Sequence, residues 1–318
     1  MMEASAIHPG GEKRKPMKFT ISETDETLVS HSGLALAGAL LQRTSIQKRA
    51  DTIRLGDRKR PDVSHGDVVT AMIGLLCLGK PDFEAIEAFR DDEFFRQALG
   101  LEKIPSEGTL RQRLDELGYR CHTTLHEEPA DMIARHIPKL TPCYGDWIAL
   151  DLDVSPFDNS GTKKEGVSWT YKKVDGYWAS LKLPAQEVME LYHQHGTSEQ
   201  YHSEIKTDMD LERLPSGKFA TNALVLSLGL VAYNVLRLCG QNALKQNGQL
   251  PQEKRMPIRK PVARRRLRSV IQDLMYLAAR FTHHAHGIGL SFWRNNPWHG
   301  VWESVYGRFI GRTCPATP

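Results

Sequence analysis

The spacing of hydrophobic residues predicts that the first part of the chain is largely helical. Residues 65–118 repeat apolar positions at helical spacing, and Ser106 after Pro105 is a typical N-cap. Residues 34–50 also fit one helix, whereas residues 17–30 alternate in the manner of a strand. We therefore expect a helical N-terminal region that begins after a short basic leader.

The second part of the chain mixes strand and helix patterns. Residues 147–154 (WIALDLDV) and 167–172 (VSWTYK) are strand candidates. Helical spacing then predicts three segments, 184–213, 219–239 and 262–281, of which the middle one is apolar enough to be buried. The predicted fold class is mainly α with a partial α/β core.

Composition restricts the class of protein. Apolar residues make up 40% of the 318 residues and charged residues 25%, as in an ordinary soluble globular protein. The most apolar run, 223–233, is too short to span a bilayer, so we expect a cytoplasmic protein without a membrane segment. The five cysteines form no C-x-x-C pair, which indicates reduced thiols instead of disulfides or a zinc site.

Positive charge is concentrated in one stretch, although the net charge is only +4. Residues 254–268 hold eight Lys or Arg and no acid. Such a stretch can lie along DNA phosphates, and the alternative is a solvated loop. The predicted DNA-binding residues in it are Lys254, Arg255, Arg259, Lys260, Arg264, Arg265 and Arg266.

A second basic surface is predicted on the helix that follows Ser106. It carries Arg111 and Arg113 beside an apolar stripe. This helix fits the second helix of a helix-turn-helix, and the alternative is a plain helical bundle with a solvated basic face. The residues alone do not separate these two interpretations.

Two acids end the strand candidate at 147–154. Asp151 and Asp153 lie two residues apart, so both side chains leave the strand on the same face. A divalent metal such as Mg²⁺ prefers carboxylate oxygens and is one natural partner for such a pair. Solvent or an arginine is the other.

A polar stripe is predicted on the helix around residue 199. At about 100° per residue, five side chains share less than a quarter turn: Tyr192, His195, Glu199, His202 and Lys206. Glu204 falls about 140° from Glu199, on another face. A solvated face explains the stripe without function, and a metalloprotein would use the histidines at His193, His195 and His202.

The series Tyr192-x2-His195-x3-Glu199-x6-Lys206 resembles the Tyr-x2-Arg-x3-Glu-x6-Lys signature of insertion-sequence transposases, with His195 in the place of Arg. Asp153-Val154-Ser155 resembles the Asp-x-Thr motif of the family's first acid, and Asp151 is the rival for that role. Residues 166–177, 204–222 and 232–241 are also similar to family segments.

The resemblance implies a DDE transposase with a ribonuclease H-like domain. Three acids of that domain hold two Mg²⁺ or Mn²⁺ ions, which activate water and then a DNA 3′-OH for strand cleavage and transfer. By resemblance, Asp153 is the first acid and Glu199 the last. Lys206 would hold a phosphate, Tyr192 and His195 would place the DNA end, and the partner would be double-stranded DNA.

The middle of such a domain is absent from this sequence. Only 45 residues, 154–198, separate Asp153 from Glu199, which leaves no room for the remaining sheet and the second acid. We infer an internal deletion near Trp178 and weak or no cutting of DNA. The alternative is a catalytically dead DNA-binding regulator of the intact transposase.

The predicted organisation has three parts: a leader at 1–16, a helical domain at 17–140 and an incomplete ribonuclease H-like domain at 141–318. A sheet cut after two strands exposes edges, so association into a homo-oligomer is expected as a way to cover them. Walker A, G-x-G-x-x-G, G-x-S-x-G and H-E-x-x-H motifs are absent from the sequence, which excludes several common enzyme classes.

Overall fold

A computed structural model describes residues 21–55, 61–136, 199–245, 264–284 and 287–311. This part of the chain is mainly helical and contains a small three-stranded antiparallel sheet. The predicted mainly α class is confirmed at that level. The strand candidates at 147–154 and 167–172 lie outside the described residues, and the ribonuclease H-like assignment stays a prediction.

The N-terminal region is helical, as its hydrophobic spacing predicts. Ser106 is the N-cap of its fifth helix, because its hydroxyl accepts a hydrogen bond from the Thr109 N–H at 3.2 Å. The helices are α1 (Leu34–Leu41), α2 (Ile46–Asp51), α3 (His65–Cys77), a 3₁₀-helix (Phe83–Phe89), α4 (Glu93–Leu99), α5 (Glu107–Leu117), a 3₁₀-helix (Gly118–Cys121) and α6 (His122–His136).

The prediction of one helix over 34–50 is wrong, because the chain breaks between α1 and α2. The Thr44 hydroxyl donates a hydrogen bond to the Leu41 carbonyl at 2.6 Å. Ser45 then donates its N–H and its hydroxyl to the Glu128 carboxylate on α6. Side chains of Ser and Thr compete with helical backbone hydrogen bonds in this way. Glu128, distant in sequence, stabilises the non-helical residues between α1 and α2.

The C-terminal region begins with residues 199–203, which are α-helical and continue into a π-helix at Glu204–Asp208. The predicted helix at 184–213 therefore ends at Asp208 within the part that the structure describes. The later elements are α7 (Phe219–Leu244), α8 (Leu267–Val270), a π-helix (Ile271–Met275), β2 (Ala279–His284), β3 (Gly287–Phe292) and α9 (His299–Phe309).

The sheet shows where the helix predicted at 262–281 is wrong. From Leu277 to Phe281 the burial alternates residue by residue, which is a strand pattern. β2 pairs with β1 (Thr27–Val29) on one side and with β3 on the other, both antiparallel. Within the described residues 21–30, only Thr27–Val29 of the predicted N-terminal strand is extended in the sheet.

One hydrophobic core joins the two parts of the described chain. α7 packs against α3 and α6, and β1 of the N-terminal part pairs with β2 of the C-terminal part. The Ser32 hydroxyl also donates to the Leu277 carbonyl at 2.7 Å. The predicted boundary at residue 140 stays a prediction, but residues on both sides of it build this core.

Helix α7 matches the buried helix predicted at 219–239 and extends it to Leu244. It is long and apolar enough to cross a membrane, yet 61% of its most apolar window is buried inside the protein. That burial is typical of the core helix of a soluble protein, and the cytoplasmic location stays a prediction. Three cysteines in the described part, Cys77, Cys121 and Cys239, are buried and free.

The aromatic residues near the C-terminus pack mostly on the core, as we expect from their size. Trp302 is buried, and its ring stacks on Tyr306 with centroids 5.2 Å apart. Trp293 is an exception, because it follows the last residue of β3 and is 69% exposed.

Candidate functional site

Residues 199–208 form a charged helix, called the signature helix here because it carries Glu199 and Lys206. Glu199 is exposed and Lys206 is half-buried. The helix changes from α to π geometry at Glu204. The π-turn is the last turn of this helix, because the chain leaves helical geometry at Met209.

Glu204 is the buried anchor of the signature helix, with only 2% of the residue exposed. Its Oε1 accepts the Leu267 N–H at 3.2 Å, and its Oε2 pairs with Arg264 and with the Tyr233 hydroxyl. Burial is the largest cause that raises the pKa of Tyr233 to about 12, so this hydroxyl stays protonated and donates. A carboxylate at such depth requires partners of this kind.

Asp208 is the second anchor, and its side chain is fully covered. The Arg266 guanidinium donates two hydrogen bonds to the Asp208 carboxylate, from Nε to Oδ2 at 2.8 Å and from Nη2 to Oδ1 at 2.9 Å. Arg268 approaches the same carboxylate with its Nε at 3.8 Å and donates its backbone N–H to Oδ2 at 3.2 Å. Glu204 and Asp208 together tie the signature helix to residues 264–268.

The signature helix therefore has two faces with different tasks. Glu204 and Asp208 are four residues apart and share the docking face. Glu199 and Lys206 are seven residues apart, share a second face, and lie roughly 140° or more from Glu204. The prediction that Glu199 and Glu204 occupy different faces is confirmed, because one is exposed and the other is buried.

The sequence contains a signal for this docking that our interpretation did not use. Two acids spaced four apart, Glu204 and Asp208, match three arginines that alternate along the basic stretch: Arg264, Arg266 and Arg268. Alternating positions of an extended segment, here Arg264 and Arg266, share one face, as do positions four apart on a helix, whereas Arg268 belongs to the first turn of α8. The complementary charges on these two faces point to a pairing of helix and segment.

The structure shows Arg265 pointing into the protein. It is 8% exposed, it pairs with Asp273, and its guanidinium lies 4.3 Å from the centre of the Trp298 ring. Burial, the largest cause, lowers the pKa of Arg265 despite the neighbouring Asp273. Of the predicted DNA-binding residues, Arg264 and Arg265 thus contact buried parts of the fold, whereas Arg266 is half exposed.

The other predicted site residues lie outside the described part of the chain. They are Asp151, Asp153, Tyr192, His195, Lys254, Arg255, Arg259 and Lys260. His193, named in the metalloprotein alternative, lies outside it as well. The roles of all these residues stay predictions.

Among the residues that the structure describes, no group of three His, Cys, Asp or Glu side chains could hold a metal ion. Glu204 and Asp208 are the described acids nearest to Glu199 in sequence, but both are engaged by arginines. These described donors do not by themselves fit the two-ion site that the resemblance implies. Binding of Mg²⁺ or Mn²⁺ through Asp153 and Glu199 stays a prediction.

The two arginines of α5 are paired within the helical region. Arg111 contacts Glu107 at 2.7 Å and lies 5.1 Å from the centre of the Phe83 ring. Arg113 contacts Glu116 at 3.4 Å. These acids neutralise the basic face locally, and the helix-turn-helix interpretation stays a prediction.

Two cavities formed by described residues contain none of the predicted site residues. One, of about 400 Å³, lies between α4 and the start of α5 and is lined by charged side chains of both signs. The other, of about 610 Å³, is a more apolar groove between α1, α4, the β2–β3 hairpin and α9. Neither places a reactive group beside the signature helix.

Comparisons with known proteins found no matching family model, no matching curated protein and no matching solved structure.

Proposed function

We propose that this chain derives from a DDE transposase of an insertion sequence, that it binds double-stranded DNA, and that it cuts DNA weakly or not at all. The proposal starts from the ordered series Tyr192, His195, Glu199 and Lys206. It is carried by one observation. The signature helix uses a separate pair of acids for docking and leaves Glu199 exposed on the face of Lys206.

The difference in exposure among the acids of the signature helix matters, because only an accessible carboxylate can contact a metal ion and a DNA strand. Glu204 is covered by Arg264 and by the Leu267 N–H, so its role is to stabilise the fold. Glu199 has no such cover. A solvated structural helix can also leave charges exposed opposite its docked face. The functional face is therefore favoured by this exposure together with the ordered series Tyr192, His195, Glu199 and Lys206.

Impaired cutting follows from the spacing of the acids. Residues 154–198 are too few for the remaining strands of a ribonuclease H-like sheet and for a second metal acid. Two ions normally stabilise both the attacking and the leaving oxygen of the displacement. With two of three acids, the chain would hold metal poorly, and no cleavage step can be assigned to its residues.

DNA binding can outlast the loss of cutting because the described core does not depend on the missing region. Residues 21–136 and 199–311 contribute to one hydrophobic cluster, and β1 is paired with β2. The signature helix is held to this core through Glu204. A stable scaffold for phosphate contacts is therefore compatible with a defective metal site.

The test is strand cleavage and binding measured on one labelled duplex that carries the inverted-repeat ends of the parent element. Purified chain is incubated with Mg²⁺ or Mn²⁺, beside Glu199→Ala and a matched control, Glu212→Ala, which removes an exposed acid just beyond the helix. We expect salt-sensitive binding by all three proteins and no cleavage that depends on Glu199. Cleavage lost only in Glu199→Ala would refute the catalytic defect, and absence of binding would refute DNA binding.

A second candidate function is regulation of the intact transposase. Three features favour it. The region of the second metal acid is inferred to be absent, the described residues form one continuous core, and Glu199 is exposed on the signature helix. A chain that occupies inverted-repeat ends without cutting them would compete with the active enzyme. Adding increasing amounts of this chain to an excision assay of the intact transposase should lower product in proportion to end occupancy.

A further inference from the structure

The end of the basic stretch contains two kinds of arginine. Arg264 and Arg265 have side chains that are 20% and 8% exposed. Arg266 and Arg268 have side chains that are 52% and 59% exposed. Because DNA phosphates reach only accessible cations, these residues cannot contribute equally to binding.

The two inner arginines are neutralised one to one. Arg264 pairs with Glu204 and lies 4.4 Å from the centre of the Tyr201 ring, and Arg265 pairs with Asp273. Each guanidinium therefore has its own carboxylate and an aromatic or buried neighbour. These two residues hold residues 264–268 against the fold and bring no net charge to the surface.

The two outer arginines share a single carboxylate. Asp208 accepts two of the five N–H groups of the Arg266 guanidinium, and Arg268 reaches the same carboxylate only at 3.8 Å. The cluster of Arg266, Arg268 and Asp208 thus carries a net charge of about +1. Since the Asp208 side chain is 0% exposed, an approaching anion meets guanidinium groups and not the acid.

We infer that Arg266 and Arg268, held by Asp208, form a binding site for one phosphate of the DNA backbone. This inference rests on the proposed function and specifies which cations of the basic stretch carry it. Guanidinium groups match phosphate oxygens in geometry and stay charged at all relevant pH values. Asp208 fixes Arg266 by two bonds and anchors the Arg268 backbone, so less side-chain freedom is lost when the anion binds.

The experiment measures affinity for a duplex at several salt concentrations by fluorescence anisotropy. The variants are Arg266→Gln, Arg268→Gln and the matched control Arg280→Gln. Arg280 is also an exposed, paired arginine, but it forms a one-to-one pair with Glu26 at 2.7 Å. Thermal unfolding of each variant checks that the fold is retained, and inorganic phosphate alone is a second probe.

We expect Arg268→Gln to reduce the slope of log affinity against log salt by about 0.9, the contribution of one phosphate. The ratio of the DNA affinity at about 50 mM salt to that at about 200 mM salt should therefore be roughly three- to fourfold smaller for Arg268→Gln than for the unmodified chain. Arg266→Gln should act in the same direction, and Arg280→Gln should leave the slope unchanged. Inorganic phosphate should raise the thermal midpoint of the unmodified chain more than that of Arg268→Gln.

Equal slopes for Arg268→Gln and Arg280→Gln, in a chain that does bind DNA, would overturn the site while leaving the proposed function intact. Failure of the unmodified chain to bind duplex at low salt would instead overturn the proposed function. In that case, a stabilisation by inorganic phosphate that Arg268→Gln abolishes would still support an anion site formed by Arg266 and Arg268. Its absence would remove that site as well.

Discussion

Replacement of Arg264 by Met should be among the most destabilising changes outside the apolar core. The Glu204 carboxylate would remain 2% exposed but would lose its cation. Removing one partner of a buried ion pair typically costs about 3–5 kcal/mol. Glu204 keeps the Leu267 N–H and the Tyr233 hydroxyl, and Arg264 itself is 20% exposed, so we expect a loss near the lower limit, about 3 kcal/mol. Urea unfolding followed by circular dichroism measures it.

Two controls separate burial from simple loss of charge. Arg280→Met removes a half-exposed arginine whose partner, Glu26, is also half exposed, and such an exposed ion pair contributes only about 0–1 kcal/mol. The double variant Glu204→Gln with Arg264→Met removes both charges but keeps an amide oxygen that can accept the Leu267 N–H, so it should recover much of the loss. The reasoning is refuted if Arg264→Met costs no more than Arg280→Met, or if the double variant is less stable than Arg264→Met alone.

Three further results should follow from the described geometry. Gly38→Ala would place a Cβ 1.7 Å from the Ala98 carbonyl oxygen, so urea unfolding should show a loss of about 1–3 kcal/mol, and a neutral effect would contradict this close approach of α1 and α4. Gly108→Ala meets nothing within 4 Å and should gain about 0.4–1 kcal/mol in the same assay, unless its surroundings differ from those described. Burial raises the pKa of Asp92, but contact with His31 and the Phe95 N–H outweigh it and leave this pKa below the ordinary value of 3.8. The stability from ionised Asp92 is therefore present above pH 3.8 and lost as pH falls further, so Asp92→Asn should flatten the thermal midpoint against pH below about pH 4, and an unchanged acid slope would count against it.

Local patterns predicted the helices well because their causes are local. Ser106 caps α5 through its own hydroxyl, and the apolar stretch within 65–118 forms α3, with Gly79 adopting the left-handed conformation soon after it ends. The buried helix at 219–239 was predictable from its apolar composition alone. The error at 262–281 has a different origin, since β2 exists by pairing with β1, about 250 residues away. Hydrophobic spacing carries no information on such partners.

The candidate site was predictable to the same extent as the fold: features within one helix could be predicted, whereas contacts between distant segments could not. The helical wheel separated Glu199 from Glu204 correctly, because both residues lie on one regular element. It did not show that Glu204 and Asp208 face the arginines of residues 264–268, about 60 residues later in the chain. For the same reason the basic stretch looked uniform in sequence, although Arg265 is buried beside Trp298 and Arg268 is exposed.

Under the proposed function, the pairing of these two segments would allow cutting and binding to separate. The proposed metal chemistry needs a third acid from a complete sheet, and the deletion inferred from the sequence would remove that acid. Phosphate binding needs accessible cations on a rigid support, and Arg266 and Arg268 receive that support from Asp208 on the signature helix. The support in turn depends on Glu204 and the shared core of residues 21–136 and 199–311. Under the proposed function, loss of the central region would remove catalysis first, while the affinity for DNA would fall when Arg266 or Arg268 is replaced or when the Glu204–Arg264 link is broken.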